Sequence, residues 1–506
     1  ERIADIFSTF RNPDKETVLT PWRVVNMHLS DTLGGYTFYN EEFTETISEP
    51  RFVERYRVTD EVFTPGAHLL EINSKSGLYP LYLAYNLYRR AVKAEMFSPQ
   101  TLEDHLCIWD KVVAESVFVI CKTPMAKAIT RRTLMGFREG KVNTRFFEDL
   151  INQIKNKPES FLVKVVKGKS FWKANDNENM KFNAIVGNPP YQVMDGGARV
   201  SAKPVYNDFV DIARKLLPYY ISMIMPSRWY AGGKGLDSFR DSMLNDRHIT
   251  TLFDYFDATD VFPKIDLSGG VCYFLWSASH NNDCSVTTSR NGIRNTLQRP
   301  LLENGSDSFV RFNEAISITN KIPKEEQTFY TFVSPRKPFG IATDFKIDKF
   351  QEQGVKLYAY PDNGWIDISQ ISVHKDWIEQ YKVFVSYAYG ERGDFPYFSI
   401  GKPFYGLPMT CCTETYLVIY PCDSKEKMKN VANYLRTKFL RFLVLLKKNT
   451  QHATSKVYSL VPLQDFTSAS DIDWSQSVSD IDRQLYAKYG LTDEEIAFIE
   501  SMIKPM

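Results

Sequence analysis

Several features that would assign a simple class are missing from this 506-residue sequence. Its 62 lysines and arginines balance 61 aspartates and glutamates, so the net charge by itself indicates no partner. The seven cysteines are odd in number and form no paired CxxC units, which argues against a disulfide framework and a zinc site. No apolar run reaches the ~18 residues of a membrane helix, and no signal peptide is visible. We therefore expect a cytoplasmic globular protein without a bound metal.

Two further patterns are absent. The sequence contains no PD-x-(D/E)-x-K constellation of a nuclease. It also contains no complete phosphate-binding loop, so no ATP motor is predicted within it. If the chain acts together with a nuclease or a motor, that activity belongs to another chain or to an upstream domain.

Short apolar runs alternate with helical patterns from about residue 66 to residue 290. The runs typical of strands are HLLEIN, VFVICK, FNAIVGN, YYISMIMP, ITTLFDYF and GGVCYFLWS. This alternation predicts a parallel α/β sheet. A stretch rich in turn formers, from about 286 to 310, indicates a domain boundary. We predict three segments: a helical segment over 1–60, an α/β domain over 61–290 and an α+β domain over 291–506.

The stretch FNAIVGNPPYQV ends an apolar strand in Asn-Pro-Pro-Tyr. Ligands of open α/β sheets bind at the carboxyl ends of strands, where Asn188 would lie. The Asn188 side chain and the Pro189 carbonyl offer two hydrogen-bond acceptors, and Tyr191 offers a flat ring for stacking. Two acceptors and a platform suit an exocyclic or amide NH2 group. Held in this way, the nitrogen is positioned to attack a sulfonium methyl group.

The N-terminal part carries a helix-start signal at Thr20-Pro21, read as a cap followed by a proline in the first turn. Apolar residues follow at helical spacing until Gly34-Gly35. The sequence therefore predicts a helix between these two points.

Asn188–Tyr191 resembles motif IV of the amino-methyltransferases that use S-adenosylmethionine. The order of Thr20-Pro21, Glu71, this motif and about 200 further residues is similar to that of the gamma class of DNA adenine-N6 methyltransferases. It most resembles the methylase part of type IIG and type ISP restriction–modification enzymes. The resemblance implies a Rossmann-like domain that uses S-adenosylmethionine, followed by a target-recognition domain that binds double-stranded DNA. It also implies methyl transfer to N6 of a flipped adenine, within a restriction–modification or phage-defence system that includes a nuclease or another subunit.

The resemblance assigns roles to individual residues. The catalytic set is Asn188, Pro189, Pro190 and Tyr191. The cofactor-binding set is Thr20, Pro21, Glu71, Asn73, Gly77 and Asn188. The sequence departs from the family pattern at Lys75, where a glycine is expected, and after VFVI, where the carboxylate that holds the ribose is missing. Asp110 and Glu115 are both candidates for that carboxylate.

The resemblance also indicates residues for the target base and the DNA. Phe262 is the candidate second stacking face, and Trp229 and Tyr230 are either stacking residues or core aromatics. The DNA candidates are Lys447, Lys448, Gln451 and Lys456, because lysines neutralise phosphates and glutamine reads adenine edges. The alternative for this region is a buried helix, FLRFLVLL, with a solvated basic end.

Two other functions are consistent with the sequence. A protein methyltransferase acting on a glutamine amide at N5 also uses Asn-Pro-Pro-Tyr, although those enzymes are short. A DNA-binding specificity module with a degraded methyltransferase site would account for Lys75 and for the missing ribose carboxylate.

Overall fold

The computed structural model describes residues 19–94, 99–173, 179–193, 203–263, 267, 269–303, 308–323, 328–345, 354–391, 395–448 and 451–506. The chain divides into two compact units between Phe309 and Val310. The sequence placed the boundary in the stretch 286–310, which contains this division, and divided the segments at residue 290. The structure folds the first part of that stretch as a hairpin of the first unit. No helix of the described residues is long and apolar enough to cross a membrane.

The strands of the first unit are β1 (Gly35–Tyr39), β2 (Thr46–Val53), β3 (Leu69–Ser74), β4 (Val117–Cys121), β5 (Asn143–Phe146), β6 (Ala184–Gly187), β7 (Gln192–Val193), β8 (Lys203–Pro204), β9 (Tyr220–Pro226), β10 (Ile249–Tyr255), β11 (Val271–Ser277), β12 (Cys284–Arg290) and β13 (Ile293–Arg299). Its α-helices are α1 (Trp22–Thr32), α2 (Arg57–Val62), α3 (Leu78–Ala94), α4 (Leu102–Ser116), α5 (Pro124–Met135), α6 (Leu150–Asn156), α7 (Pro158–Val165), α8 (Tyr206–Lys215) and α9 (Asp237–Leu244). All six apolar runs of the sequence form strands, as predicted.

In the described residues, nine of these strands form one mixed sheet in the order β13-β12-β10-β11-β9-β6-β3-β4-β5. The predicted parallel sheet is therefore only partly correct. Strand β11 runs antiparallel to both of its neighbours, and β13 runs antiparallel to β12. Strand direction could not be read from the sequence because a buried strand has the same apolar composition whichever way it runs.

The central strands β3, β4, β6 and β9 are buried along their whole length, which explains why they read as nearly continuous apolar runs. Alternate residues of β4 point to opposite sides: Val117 and Val119 belong to one apolar cluster, and Phe118 and Ile120 to the other. Helices α3 and α5 pack against β3 and β4, and α8 packs against β9, so the α/β class predicted from the alternating pattern is confirmed.

The order in which successive strands are added to the sheet reverses at β3, although β3, β4 and β6 all run parallel. The chain runs outward from β3 through β4 to β5 and then returns to the other side of β3 as β6. Open α/β sheets bind their ligands at such a switch point, in the crevice beyond the carboxyl ends of the strands. Register pairing aligns Glu71 of β3 with Val186 of β6, so the residues after these two strands lie side by side.

Two hairpins differ from the sequence expectation. The predicted helical segment over 1–60 contains α1, but β1 and β2 then pair as an antiparallel hairpin, and residues 1–18 lie outside the described part. Strands β12 and β13 form the second hairpin around Asn291-Gly292, where both residues have positive φ. Such a turn joins strands tightly and is not a linker.

The second unit contains two three-stranded sheets in its described residues, in the orders β15-β14-β18 and β17-β16-β19. Their strands are β14 (Val355–Tyr358), β15 (Gly364–Ile366), β16 (Tyr381–Ser386), β17 (Phe404–Gly406), β18 (Thr410–Cys412) and β19 (Tyr416–Cys422). Its α-helices are α10 (Glu314–Lys321), α11 (Lys425–Arg436), α12 (Lys438–Lys447), α13 (Val478–Lys488) and α14 (Asp493–Met502). The stretch FLRFLVLL lies in α12 and is almost wholly buried, which confirms the buried-helix interpretation for that part.

Candidate active site

Asn188 occupies the position predicted for it, directly after the buried strand β6 at the switch point. It is 4% exposed. Its Nδ2 donates to the Thr20 hydroxyl at 3.0 Å, and its carbonyl oxygen accepts from Asn73 Nδ2 at 3.4 Å. Its side-chain oxygen is buried and has no hydrogen-bond partner. The amide is therefore held by its nitrogen while its oxygen remains an available acceptor.

Thr20 reaches this site in a way that differs from the prediction. The helix begins at Trp22, so Pro21 occupies the capping position rather than the first turn, and no side chain caps the helix. Pro21 is exposed, whereas Thr20 is buried. The Thr20 hydroxyl is thus free of helix capping and binds the Asn188 amide instead.

The remaining residues of the motif are buried as well. Pro189 and Pro190 have no backbone N–H, so the turn gives Asn188 no competing donor. Tyr191 is 7% exposed, and its hydroxyl is another buried atom without a partner. Burial raises the pKa of Tyr191 well above its usual range, so its hydroxyl is protonated and can donate.

Glu71 lies in the middle of β3, the strand next to β6, which Asn188 follows. It is buried, and its Oε2 has no hydrogen-bond partner. Burial raises the pKa of Glu71 to about 8, against smaller lowering effects of a hydrogen bond with Ser74 and of the charge of Lys75. A buried carboxylate that lacks a cation is the group that a cationic ligand would stabilise.

The turn at the end of β3 has its positive-φ residues at positions other than Lys75, where the family pattern expects a glycine. Its positive φ values fall on Asn73, at +76°, and on Gly77, at +77°. Asparagine is one of the few residues that adopt this conformation readily, and Asn73 forms a bulge there. At Gly77 an added Cβ would lie 2.9 Å from Thr130 Cα. Lys75 is not among the residues of positive φ, so a side chain at that position requires no strained backbone.

The ribose carboxylate remains without a replacement. Asp110 pairs with Arg138, at 2.6 Å, in the region where α5 ends. Glu115 is exposed in the last turn of α4, next to the amino end of β4. Neither residue lies at the carboxyl end of β4, where Cys121 and Lys122 are found.

The aromatic candidates are core residues in this structure. Trp229 and Tyr230 are 0% and 2% exposed, and Trp229 Nε1 donates to Cys272 Sγ at 3.3 Å, which favours the core interpretation for this pair. Phe262 is 2% exposed and packs in the apolar cluster that contains Val261 and Tyr255. A base could stack on Phe262 only if this loop moved.

In the second unit, the four DNA candidates have different environments. Lys448 Nζ donates to the carbonyl of Ser399 at 2.5 Å and to that of Tyr389, and burial lowers its pKa to about 8. Lys447 is half-buried. Gln451 and Lys456 are exposed, as a DNA contact requires. Lys448 therefore has a structural role that the sequence did not reveal.

A buried polar network next to the site also escaped the sequence reasoning. It joins His28 and Thr32 of α1, Tyr79 of α3 and Ser222 of β9. No spacing pattern indicated it, because His28 and Ser222 are 194 residues apart. All seven cysteines are free, and no group of residues suited to a metal ion is found in the described part of the chain.

Two sequence comparisons match part of this chain to methylases. Residues 115–262 match the family of Eco57I restriction-modification methylases. A segment of 112 residues is 36% identical to an uncharacterized adenine-specific methylase of Mycoplasma pneumoniae, and covers 22% of this chain and 26% of that protein. The chain thus matches about a quarter of the length of this curated relative.

Solved structures of restriction–modification enzymes are similar at low sequence identity. The type IIL enzyme MmeI in complex with DNA has a TM-score of 0.47 and 10% identity, over 87% of this chain and 73% of that one. The type IIG endonuclease BpuSI has a TM-score of 0.39 and 12% identity, over 98% of this chain and 66% of that one. The DNA-bound type ISP enzyme LlaBIII has a TM-score of 0.46 and 10% identity, over 90% of this chain and 39% of that one. The resemblance indicated by Asn188–Tyr191 is confirmed over residues 115–262, where the chain matches the Eco57I restriction-modification methylase family.

Proposed function

We propose that this chain is a site-specific DNA methyltransferase that transfers a methyl group from S-adenosylmethionine to N6 of adenine. The observation that carries the proposal is the Asn188 amide. Its nitrogen is fixed by Thr20, and its buried oxygen has no partner at the end of β6. A substrate NH2 group would satisfy that oxygen, because an amine supplies the hydrogen-bond donors that the free site lacks.

The residues of β3 and of the loop after it match the chemistry of the cofactor. S-adenosylmethionine supplies a methyl group on a positively charged sulfur. Glu71 would hold the ammonium group of its amino-acid end, since the buried Oε2 lacks a partner. The loop of Asn73 and Gly77 would follow the cofactor closely, and Thr20-Pro21 would cover it. The missing ribose carboxylate is a difference from the family pattern and leaves the ribose hydroxyls to other groups.

In the proposed reaction, the adenine leaves the duplex and enters the crevice. The Asn188 side chain and the Pro189 carbonyl accept hydrogen bonds from the N6 amino group, and Tyr191 stacks on the base. With both N–H bonds held, the nitrogen lone pair would be directed at the methyl group, and this positioning would lower the barrier. The new N–C bond would form as the bond from sulfur to the methyl group breaks, S-adenosylhomocysteine would leave, and the methylated nitrogen would release one proton to solvent. Pro190 keeps the turn rigid.

The second unit would select the DNA sequence, with Gln451 and Lys456 as its exposed candidates and Lys447 beside them. Phe262 would join the base pocket after a loop movement. We further propose that the chain acts in a restriction–modification or phage-defence system, together with a nuclease on another chain or domain.

Long-read sequencing of genomic DNA tests the reaction in a methylation-free host that expresses this chain. Modified adenines in one recurrent sequence are expected, and they should disappear in Asn188→Ala while DNA binding persists. Full methylation by Asn188→Ala would refute the mechanism. Transfer of a labelled methyl group to protein rather than to DNA would favour the glutamine-N5 alternative.

A further inference from the structure

Four buried side chains form a continuous hydrogen-bonded row beside the candidate site. Tyr79 OH lies 2.8 Å from His28 Nδ1, and His28 Nε2 lies 2.8 Å from Ser222 Oγ. Ser222 Oγ lies 2.8 Å from Thr32 Oγ1, which donates to the main-chain carbonyl of His28 at 2.8 Å. The row joins α1, α3 and β9, and it is closed to solvent because all four residues are buried.

The direction of every hydrogen bond in this row follows from counting protons. A carbonyl can only accept, so the Thr32 proton lies on the bond to the His28 carbonyl. Ser222 must then donate to Thr32, and it must accept from His28 Nε2. Burial lowers the pKa of His28 to about 3, so the ring is neutral and carries its one proton on Nε2. His28 Nδ1 is therefore an acceptor, and the Tyr79 hydroxyl donates to it.

This result fixes the remaining capacity of Tyr79. Its only hydroxyl proton is used on His28, so its phenol oxygen can only accept a further hydrogen bond. Tyr79 lies in the first turn of α3, two residues after Gly77, at the carboxyl end of β3. Register pairing puts Glu71, Val186 and Ser222 in one row across β3, β6 and β9, so Glu71 lies on the face of the sheet to which Ser222 and His28 connect Tyr79.

We propose that Tyr79 is a further cofactor-binding residue, whose phenol oxygen accepts a hydrogen bond from the α-ammonium group of S-adenosylmethionine beside the Glu71 carboxylate. The inference rests on the proposed function. An ammonium group has three donors and no acceptor, so it matches the Tyr79 oxygen, which can only accept, beside a Glu71 carboxylate that can only accept once it has lost its proton. The α-carboxylate cannot take this place, because two acceptors facing it would repel it.

His28, Ser222 and Thr32 then act through Tyr79 as positioning residues. They determine that the tyrosine presents a lone pair rather than a proton. If the row were broken at Ser222, the His28 proton could move to Nδ1. Tyr79 would then accept from His28, and its own proton would point at the ammonium group.

Calorimetry with the full chain and two ligands tests this assignment. S-adenosylhomocysteine carries the α-ammonium group, whereas 5′-methylthioadenosine lacks the whole amino-acid end. Tyr79→Phe is expected to weaken S-adenosylhomocysteine binding roughly tenfold, the usual effect of losing one hydrogen bond to a charged group. It should leave methylthioadenosine binding unchanged. Tyr82→Phe is the matched control, because that buried tyrosine of α3 donates to the Gly34 carbonyl at 2.9 Å instead.

A second variant separates positioning from packing. Ser222→Ala keeps the Tyr79 hydroxyl in place and is expected to weaken S-adenosylhomocysteine binding severalfold, again without an effect on methylthioadenosine. Unchanged affinity in Tyr79→Phe, or an equal loss for both ligands, would overturn the assignment of Tyr79. If the wild-type chain bound neither ligand, the proposed cofactor would be refuted together with this inference.

Discussion

Replacing Glu71 by glutamine is expected to stabilise the free protein and to weaken its cofactor binding. The substitution keeps the shape of the side chain but removes its charge. Glu71 is buried, its Oε2 has no partner, and burial raises its pKa from 4.5 to about 8. The folded protein therefore holds a proton on Glu71 over a pH range in which the unfolded chain has released it.

The sign and size of the stability effect follow from this pKa. Between pH 4.5 and about 8 the folded state binds more protons at Glu71 than the unfolded state, so stability falls as the pH rises through this window. Below pH 4.5 the effect is absent, and above pH 8 it is complete. At ~1.4 kcal/mol per pKa unit, the full effect is of the order of 5 kcal/mol. Glu71→Gln should remove it, so the variant gains most at pH 8 and little at pH 5.

Urea unfolding of the full chain at pH 5 and pH 8 measures this difference. Glu115→Gln serves as the control because Glu115 is exposed on α4, and its unfolding midpoint should change little at either pH. Titration of the protein with S-adenosylmethionine supplies the functional half. Wild-type affinity should rise up to about tenfold per pH unit below pH 8, since Glu71 must lose a proton to face a cation.

Glu71→Gln should bind the cofactor more weakly and without this pH dependence. A variant that is no more stable than the wild type at pH 8 would refute the burial argument. A variant that retains the wild-type affinity and its pH dependence would refute the cofactor role of Glu71.

Three further substitutions test the site and the second unit. Thr20→Val leaves the buried donor of the Asn188 amide without a partner, so in a methylation assay it should lower kcat/KM roughly 5- to 150-fold while DNA affinity is unchanged. Thr20→Ser should retain most activity. Gly77→Ala should lower the free energy of unfolding in urea by more than ~2 kcal/mol, because a clash with Thr130 of α5 adds to the strain of the positive φ. Gly66→Ala is the control: Gly66 also has a positive φ but no atom lies within 4 Å of an added Cβ, so it should cost about 1 kcal/mol. Lys448→Met should lower stability without changing the salt dependence of DNA binding, whereas Lys456→Gln should leave stability unchanged and lower the slope by about one.

The parts of the fold that the sequence predicted well are those buried on both faces. VFVI and YISMIMP are continuous apolar runs because both sides of their strands pack against helices. Strand β13 has the opposite character. Most of its residues are exposed, so IRNTLQR carries no apolar pattern, and the Asn-Gly turn before it falls in the stretch interpreted as a domain boundary. The tight turn was a hairpin signal that the polar composition outweighed.

The candidate site shows the same limit at the level of single contacts. Asn188 could be placed from the sequence because a short motif follows an apolar strand. The bond between Asn188 and Thr20 could not, because 168 residues separate them. Nor could the turn after β3 be predicted, since its unusual backbone falls on Asn73 rather than at Lys75, where the family pattern expects a glycine.

Three buried atoms without a hydrogen-bond partner belong to residues in β3 and directly after β6: Glu71 Oε2, Asn188 Oδ1 and Tyr191 OH. Each buried polar atom that lacks a hydrogen-bond partner costs about 1 to 3 kcal/mol of folding free energy, so the three atoms of the ligand-free site together cost roughly 3 to 9 kcal/mol. A ligand with a cationic group and an amino group recovers much of this energy when it binds. Stability lost in the free protein thus becomes affinity for ligands of matching chemistry, which is why Glu71→Gln should raise stability and lower affinity by the same physical cause.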